Sequence, residues 1–494
     1  MIKIKNSRLR LLGYDILIVS IIAFFVTWLR WYIGFPTSII LLTGYHYARK
    51  NIANDNKEFV ITRRLLFIIC GIMIIWTLLC GVGGLFPQKN DLNIRNAILH
   101  DMINFSWPVR YEDGLDSSLT YYIGFWIVPA LIGKATAFLF GTQVGWTAAN
   151  IAYAVYCIIM LCIIILLIVS HLKAFTMKSA IFAVLVLIFF SGMDIIPIIL
   201  SQITNDYIII GSHLEWWSGF VQYSSNTTQL GWVYNQAIPA WLVTAMLLHE
   251  EGIKNYAFLG LLLLPFGPIP FIGVFIIMIY RGIIEFISNL KSNSVKEFLC
   301  HVLSAPNVSA VISVLPIFYL YYSTNAATTS NGYAINNLPF IIYYIFILIE
   351  FLFYAILVWQ HSYTKRFFLI SVLGLLFTPF FMLGGSQDFC MRASIPFLFI
   401  LMVYIMDYLL ANISTAGKGI IQINTGAVIL LILLAIGSAT PLTEFRQSYT
   451  QIVQHKGILA DKYGTLNDPN MGRGNFITIN ASETTFYKYI AKSK

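Results

Sequence analysis

The sequence predicts an all-α integral membrane protein with about 11–13 transmembrane helices and further interfacial helices on the outer face of the membrane. Two observations predict this fold class. Hydrophobic residues make up 58% of the 494 residues and charged residues only 11%, whereas soluble domains carry about 25% charged residues. Apolar runs of about 20 residues, long enough to cross a bilayer, also recur from one end of the chain to the other.

The individual spans follow from these apolar runs. One stretch, 256–281, is interrupted by Pro265, Pro268 and Pro270. Because proline removes a backbone donor and breaks a helix, this stretch is predicted to form a hairpin of two half-spans. The uninterrupted spans are predicted near 12–29, 33–48, 65–86, 145–170, 179–200, 231–248, 306–324, 338–360, 366–384, 393–411 and 425–441.

Basic residues set the predicted orientation, because loops rich in Lys and Arg stay in the cytoplasm. The N-terminal segment MIKIKNSRLR and the loops at 49–64, 171–178, 281–296 and 361–366 are basic. The N-terminus is therefore predicted to be cytoplasmic. With the spans above, this orientation places the C-terminal tail outside.

The apolar segment 119–141 decides whether this orientation is consistent. It is long enough to span, but Pro129 interrupts it and Lys134 would lie near the middle of the membrane, at a cost of at least ~2.5 kcal/mol. It is therefore predicted to form interfacial or re-entrant helices. The resulting organisation is a transmembrane domain, 1–441, with outer loops 87–144 and 201–230, and a small outer tail or cap, 442–494.

Charge and cysteine usage exclude two functional classes. The net charge of +9 is dispersed along the chain, so no nucleic-acid partner is predicted. The six cysteines show neither a CxxC pair nor a Cys/His metal spacing.

Polar residues gather in the predicted outer loops, where they form one layer. Arginine binds phosphate through a fork of donors, and a carboxylate can take a proton from an attacking hydroxyl, so this layer suits a lipid-linked anionic substrate. Asp91 is the predicted catalytic base, with Arg95 one turn further along the same helix. The predicted substrate-binding residues are Arg95, His100, Asp101, Arg110, Asp194, His213, Glu215, Asn235, Gln236, Asp388 and Arg392.

Several of these residues can also be explained by structural roles alone. Asp91 also fits a helix N-cap, His213 fits an interfacial belt, and Arg392 fits a side chain that snorkels to the headgroups. Glu350 lies inside an apolar run, which favours either a functional carboxylate or a protonated one hydrogen-bonded between helices.

The layout resembles the GT-C glycosyltransferases, multispan enzymes that use polyprenyl-phosphate sugars. The similar pieces are NDLNIRNAILHD, then LTYYIGFWIVPALIG, then the span ending at HLK, and the resemblance covers roughly residues 65–411. It implies an acidic catalytic residue in the early outer loop, which here is Asp91. The family's acidic pair is reduced to this one carboxylate, flanked by Asn90 and Leu92. That departure disfavours a divalent metal, and no cofactor is assigned.

Local strings are also similar to a group of uncharacterised bacterial multispan membrane proteins. These strings are NAILHDMINFSWPV, LTYYIGFWIVPALIGK, WVYNQAIPAWL and DFCMRASIPFLFIL. The similarity implies a location in the bacterial inner (plasma) membrane and supplies no reaction.

The leading functional prediction is a glycosyltransferase that moves a sugar from a polyprenyl-phosphate donor to a glycan, lipid or protein acceptor at the outer membrane surface. An O-antigen-type polymerase or ligase using His100 or His213 is one alternative. A transporter or flippase for a lipid-linked or anionic substrate is the other, and the hairpin at 256–281 and Glu350 favour it.

Overall fold

The computed structural model describes residues 1–53, 55, 57–89, 91–204, 213–292, 294–327, 333–383, 388–416, 420–455 and 464–493, and most of these residues are helical. Within these ranges, seven helices are long and apolar enough to cross a membrane. The chain is therefore a multi-pass α-helical membrane protein. The seven are Asn6–Trp28, Thr142–His171, Pro268–Lys291, Ala305–Tyr322, Phe340–Ser362, Ile395–Asn412 and Thr425–Gln454.

The α-helices of the described ranges are numbered here in chain order. The helices are α1 Asn6–Trp28, α2 Trp31–Ala53, α3 Arg63–Leu79, α4 Leu92–Asn104, α5 Ile127–Phe140, α6 Thr142–His171, α7 Met177–Phe189, α8 Ile195–Ile203, α9 Asn226–His249, α10 Tyr256–Leu261, α11 Pro268–Lys291, α12 Val295–Val302, α13 Ala305–Ser313, α14 Leu315–Tyr322, α15 Phe340–Ile347, α16 Phe353–Ser362, α17 Phe368–Phe377, α18 Asp388–Ala393, α19 Ile395–Asn412, α20 Thr425–Gly437 and α21 Ala439–His455. A π-helical turn, Leu348–Leu352, joins α15 to α16.

Short antiparallel strand pairs lie between the helices. They are β1 Ile2–Lys5 with β2 Glu58–Ile61, β3 Ser118–Leu119 with β8 Ile477–Thr478, β4 Tyr333–Ile335 with β5 Phe381–Leu383, and β6 Ile413–Ala416 with β7 Ile420–Ile423.

These elements define two opposite faces of the molecule. The basic face carries β1, β2 and the loops at 170–178, 250–255 and 361–367, where Arg10 forms an ion pair with Glu250. The α4 face is the face at which α1 and α3 end. It carries α4, residues 105–126 and the segment 464–493, and Lys492 of that segment donates its backbone N–H to the Trp28 carbonyl at 3.0 Å.

Two predicted spans end earlier than the apolar pattern indicates. The span predicted at 65–86 is helical only to Leu79, because Gly81, Gly83 and Gly84 adopt positive φ angles of 76°, 88° and 67°, which glycine alone tolerates readily. The span predicted at 179–200 divides into α7 and α8. There Gly192 packs so closely on Glu350 that a Cβ atom would collide with the carboxylate.

The other segments that required interpretation also have defined structures. The proline-rich stretch breaks into the short α10 and a second arm, α11, which is a full 24 residues long instead of a half-span. Segment 119–141 contains the 14-residue helix α5, which turns at Gly141 into α6. Five predicted spans, on α2, α3, α7, α9 and α17, fall on helices that are too short or too polar to belong to the seven.

Candidate functional site

The first group of charged residues on the α4 face surrounds Arg392 and is called the arginine site. Arg392 lies at the end of α18, and its guanidinium pairs with Asp388 at 3.1 Å. It also donates to the Tyr122 hydroxyl at 3.4 Å. Arg392 is buried, and its Nε atom has no hydrogen-bond partner among the described residues. The half-exposed Asp388 and the tyrosine therefore hold the guanidinium in place without using all of its donors.

An aromatic wall extends from Arg392 towards α9. Tyr121 stacks on Tyr122 with ring centroids 3.9 Å apart and lies 6.0 Å from Trp126. Trp126 donates its indole N–H to the Tyr234 hydroxyl at 3.1 Å. Tyr234 follows Val233, whose backbone is not helical and kinks α9. The wall thus places several buried aromatic rings beside a fixed cation.

Arg95 occupies the other end of this wall. It projects from α4 into the protein, within electrostatic range of the Tyr234 hydroxyl. Its Nε and Nη1 atoms are buried and unpaired in the described structure, as are both amide atoms of Asn235 and of Gln236. A buried polar group without a partner costs about 1–3 kcal/mol. Such a concentration of free donors and acceptors is typical of a site that binds a polar ligand.

Asp91 lies at the exposed start of α4. It occupies the N-cap position, but its side chain makes no capping hydrogen bond. Burial lowers the pKa of Arg392, but the Asp388 carboxylate, the Tyr122 and Tyr121 hydroxyls and, most weakly, Asp91 raise this pKa by more, so the net pKa is raised. Asp91 therefore acts on the same cation from the solvent side. Asp91 and Arg95 do not form one of the described ion pairs, because Asp91 precedes the first helical turn and is exposed while Arg95 is buried.

A second group, the carboxylate cluster, consists of Asp194, Glu215, Glu350 and Glu444. Asp194 accepts hydrogen bonds from Ser191 at 3.1 Å and Thr440 at 2.7 Å. It also contacts the carboxyl group of Glu350, to which Trp217 donates at 3.0 Å. Two carboxyl groups in hydrogen-bond contact need one proton between them. Glu350 therefore belongs to a buried cluster near the middle of the helical stretch Phe340–Ser362.

Glu215 is buried in the same cluster. Its two oxygens accept hydrogen bonds from the Gln222 side chain and the Ser225 backbone N–H, both at 2.8 Å. Burial first, and then the neighbouring Asp194 carboxylate, raise the pKa of Glu215 to about 8. Glu215 is consequently mostly protonated at neutral pH.

Glu444 joins four parts of the chain at one carboxylate. One oxygen contacts His213 Nδ1 at 3.0 Å, and the other contacts Lys89 Nζ at 3.0 Å and the Trp232 indole N–H at 3.3 Å. Lys89 also donates to Gln447 at 2.9 Å. This buried ion pair fixes the loop that leads into α4, because Lys89 lies two residues before Asp91.

Three further predicted binding residues hold the segment 464–493. Asp101 is fully buried, pairs with His100 at 3.0 Å and accepts the Leu466 backbone N–H at 2.8 Å. The Arg110 guanidinium lies over the Tyr487 ring at 5.7 Å. The structure therefore gives these three residues a role in packing the α4 face.

No family model, curated protein or solved structure matches this chain. Within the described ranges, no group of three or more His, Cys, Asp or Glu side chains could hold a metal ion. The functional assignment therefore depends on the geometry of the α4 face.

The structure thus divides the predicted site residues among three places. Asp91, Arg95, Asn235, Gln236, Asp388 and Arg392 contribute to the arginine site or adjoin it. Asp194, His213 and Glu215 lie in or beside the carboxylate cluster, and His100, Asp101 and Arg110 contact the segment 464–493 or its support. The sequence interpretation missed the aromatic wall and the Lys89–Glu444 pair. Only the aromatic run in LTYYIGFW, at 119–126, signalled the wall.

Proposed function

We propose that this protein is a glycosyltransferase that uses a polyprenyl-phosphate-linked sugar donor at the α4 face. The observation that carries the proposal is the arginine site, in which two buried arginines keep unpaired guanidinium nitrogens at either end of an aromatic wall. A fork of charged donors recognises phosphate, and ring faces beside it suit a sugar. The substrate that combines both in a membrane protein is a lipid-linked sugar phosphate.

The proposed reaction gives each part of the site a role. Arg392 and Arg95 bind the donor phosphate. The acceptor hydroxyl forms a bond to the anomeric carbon, the bond from that carbon to the phosphate oxygen breaks, and polyprenyl phosphate leaves. Asp91 takes the proton of the hydroxyl as the new bond forms. Its exposed position at the start of α4 gives the acceptor, a glycan, lipid or protein, access from solvent.

The orientation proposed for this reaction places the basic face in the cytoplasm and the α4 face outside a bacterial plasma membrane, with about 11–13 crossings. Glu483 is exposed on the segment 464–493. A cysteine in its place is expected to react with a membrane-impermeant maleimide in intact cells, whereas Cys300, exposed in α12 on the opposite side, reacts only after permeabilisation. The reverse labelling pattern would show that the α4 face lies in the cytoplasm and would contradict the proposed topology.

The phosphate-binding step is tested by titrating the purified protein with polyprenyl phosphate and detecting the complex by native mass spectrometry. Arg392→Lys keeps the charge but loses the bidentate fork, so affinity is expected to fall roughly tenfold. Arg446→Lys is the matched control, because Arg446 is exposed on α21. Equal affinities for both variants and the wild type would remove Arg392 from the site.

A transporter or flippase is the second candidate function, and the α10–α11 hairpin favours it. The turn of this hairpin reaches the α4 face, where the Pro265 carbonyl accepts the Gly124 backbone N–H at 3.0 Å. Discontinuous helices of this kind occur at transport sites. Reconstitution separates the two functions, because a flippase moves a fluorescent polyprenyl phosphate across vesicles without any sugar acceptor.

A further inference from the structure

The helix α5 and the first half of α6 form a tightly packed hairpin that leads away from the arginine site. A Cβ atom at Gly133 would lie 2.7 Å from Ala149 Cβ, and one at Gly145 would lie 2.5 Å from Ala137 Cβ. Each helix thus contributes two small residues spaced four apart, Gly133 with Ala137 and Gly145 with Ala149. This small-xxx-small pattern is typical of helix pairs that associate in lipid, where close backbone packing replaces the hydrophobic effect.

The tip of the hairpin is apolar and unusually exposed. Phe138, Leu139 and Phe140 are 90%, 67% and 69% exposed, and Val144 follows them on α6. Three consecutive large apolar side chains on a water-facing turn would form a costly exposed patch. Their neighbours Gly141 and Thr142 supply no charge to offset it.

The apolar surface of the tip continues along α6 towards the membrane. Ile151, Val155 and Ile159 are exposed at helical spacing on this candidate span. Residues 135–170 contain no Asp, Glu, Lys or Arg. Along the same surface, the Thr147 hydroxyl donates to the Gln143 backbone carbonyl of α6. On α5, the Thr136 hydroxyl donates to the Ile132 backbone carbonyl. These two hydroxyl groups are therefore satisfied within their own helices and need no water.

The length of α6 sets how far the tip of the hairpin lies from the basic face. Thirty residues extend about 45 Å along a helix, which matches the roughly 40–45 Å thickness of a bilayer with its headgroups. His171, at one end of α6, lies at the basic face. The other end, Thr142, therefore reaches the headgroup level of the opposite leaflet.

We propose that Phe138, Leu139 and Phe140 insert into the bilayer interface on the α4 face as a membrane anchor that does not span. The partner is the boundary between headgroups and acyl chains. Lys134 connects this anchor to α4 by donating to the carbonyls of Ile103 and Phe105. This inference does not depend on the proposed enzymatic activity.

Spin labelling in proteoliposomes tests the anchor. A nitroxide is attached at Phe138→Cys in a Cys300→Ser background, and its accessibility to oxygen, which partitions into lipid, is compared with that to a water-soluble nickel chelate. Ile159→Cys provides the acyl-chain reference and Glu483→Cys the aqueous reference on the α4 face. Label bound in the Cys300→Ser parent is subtracted. Leu139→Cys replaces Phe138→Cys if that variant does not fold.

The expected result is a label at position 138 that favours oxygen over the chelate, as at position 159 but at shallower depth. A label that is as accessible to the chelate as the one at position 483 would overturn the inference. Protection from both reagents would overturn it as well, because it would show that protein covers the tip.

Discussion

The arginine site and the carboxylate cluster lie on the same face and are both built from buried charged residues, but they satisfy those charges differently. In the carboxylate cluster, both oxygens of Glu215 and of Glu444 have protein partners at 2.8–3.3 Å. Asp194 and Glu350 each keep one oxygen whose neighbour is the other carboxyl group. In the arginine site, Arg95 and Arg392 leave donors unpaired among the described residues, and Asp91, within electrostatic range of Arg392, is exposed.

This difference separates a binding site from a structural connection. Glu444 accepts from Lys89 and Trp232 and contacts His213, so little is left for a ligand to contribute. Arg392 has one carboxylate and one distant hydroxyl. A ligand phosphate would supply the acceptors that Arg392 lacks, whereas it would only compete with partners already present around Glu444.

The substitution Asp91→Asn is expected to have the largest effect, because it removes the proposed base and keeps the size of the side chain. Turnover is expected to fall by about 10²–10⁴-fold, with polyprenyl phosphate binding retained. The assay is sugar release from a panel of polyprenyl-phosphate-linked hexoses. Asp468→Asn, at an exposed position in the segment 464–493, is the control. Near-normal turnover by Asp91→Asn would remove Asp91 as the base.

Breaking the Lys89–Glu444 pair is expected to act on stability. Removing one partner leaves a buried charge unpaired, at a cost of about 3–5 kcal/mol. Lys89→Met and Glu444→Gln should therefore each lower the melting temperature in detergent, and the double variant should recover part of the loss. Lys3→Met, which breaks the exposed pair with Glu58, should cost less than about 1 kcal/mol. Additive losses in the double variant would contradict a direct pair.

Glu215 is expected to make stability depend on pH. Its pKa of about 8 in the folded protein exceeds the ordinary carboxyl value of the unfolded chain, so between the two values the folded state holds the extra proton. The contribution of this proton to the free energy of unfolding is complete below the pKa of the unfolded chain and is lost as the pH rises to about 8. The free energy of unfolding then falls by at most about 1.4 kcal/mol per pH unit. The slope is measured by thermal unfolding over roughly pH 4–9, which brackets the pKa values of the unfolded and folded states.

Glu215→Gln should remove this component of the slope, whatever its constant effect on stability. Glu483→Gln, an exposed carboxyl, should leave the slope unchanged. Identical slopes in wild type and Glu215→Gln would show that the carboxyl is ionised in the folded protein.

Glu350→Gln is expected to have the smallest effect. The glutamine oxygen can still accept from Trp217, and its amide can donate to the Asp194 oxygen that has no other partner. Thermal stability and turnover should both be retained. Glu350→Ala leaves the buried Trp217 indole without an acceptor and should cost about 1–3 kcal/mol. Loss of function in a stable Glu350→Gln protein would favour the transporter instead.

The helical membrane fold could be predicted because apolar length and scarce charge are local properties. Pro129 and Lys134 likewise indicated that 119–141 is not an ordinary span, and α5 is a short helix there. The early end of α3 was missed, since hydropathy does not register the positive φ angles of Gly81, Gly83 and Gly84.

The grouping of the site residues could be predicted only in part. Arg392 and Asp91 were placed on one face from span order, and Arg392 is within electrostatic range of Asp91. The contacts of Glu444 with Lys89, and of Asp194 with Glu350, join residues more than 150 positions apart. Such contacts depend on how helices pack, and a single sequence carries no direct record of it.

The strand pair β3–β8 has a consequence for how the protein is made. Ser118 and Leu119 are synthesised before most of the membrane helices, but their partners Thr478 and Ile477 follow all of them. The loop at 105–126 therefore leaves the ribosome long before the residues that complete it. A chain arrested or cleaved before residue 464 would still carry Asp91, Arg95 and Arg392, while Asp101 would lack the Leu466 N–H that it binds. Proteases that survey unfinished membrane proteins would meet an open loop there until Ile477 and Thr478 have been synthesised.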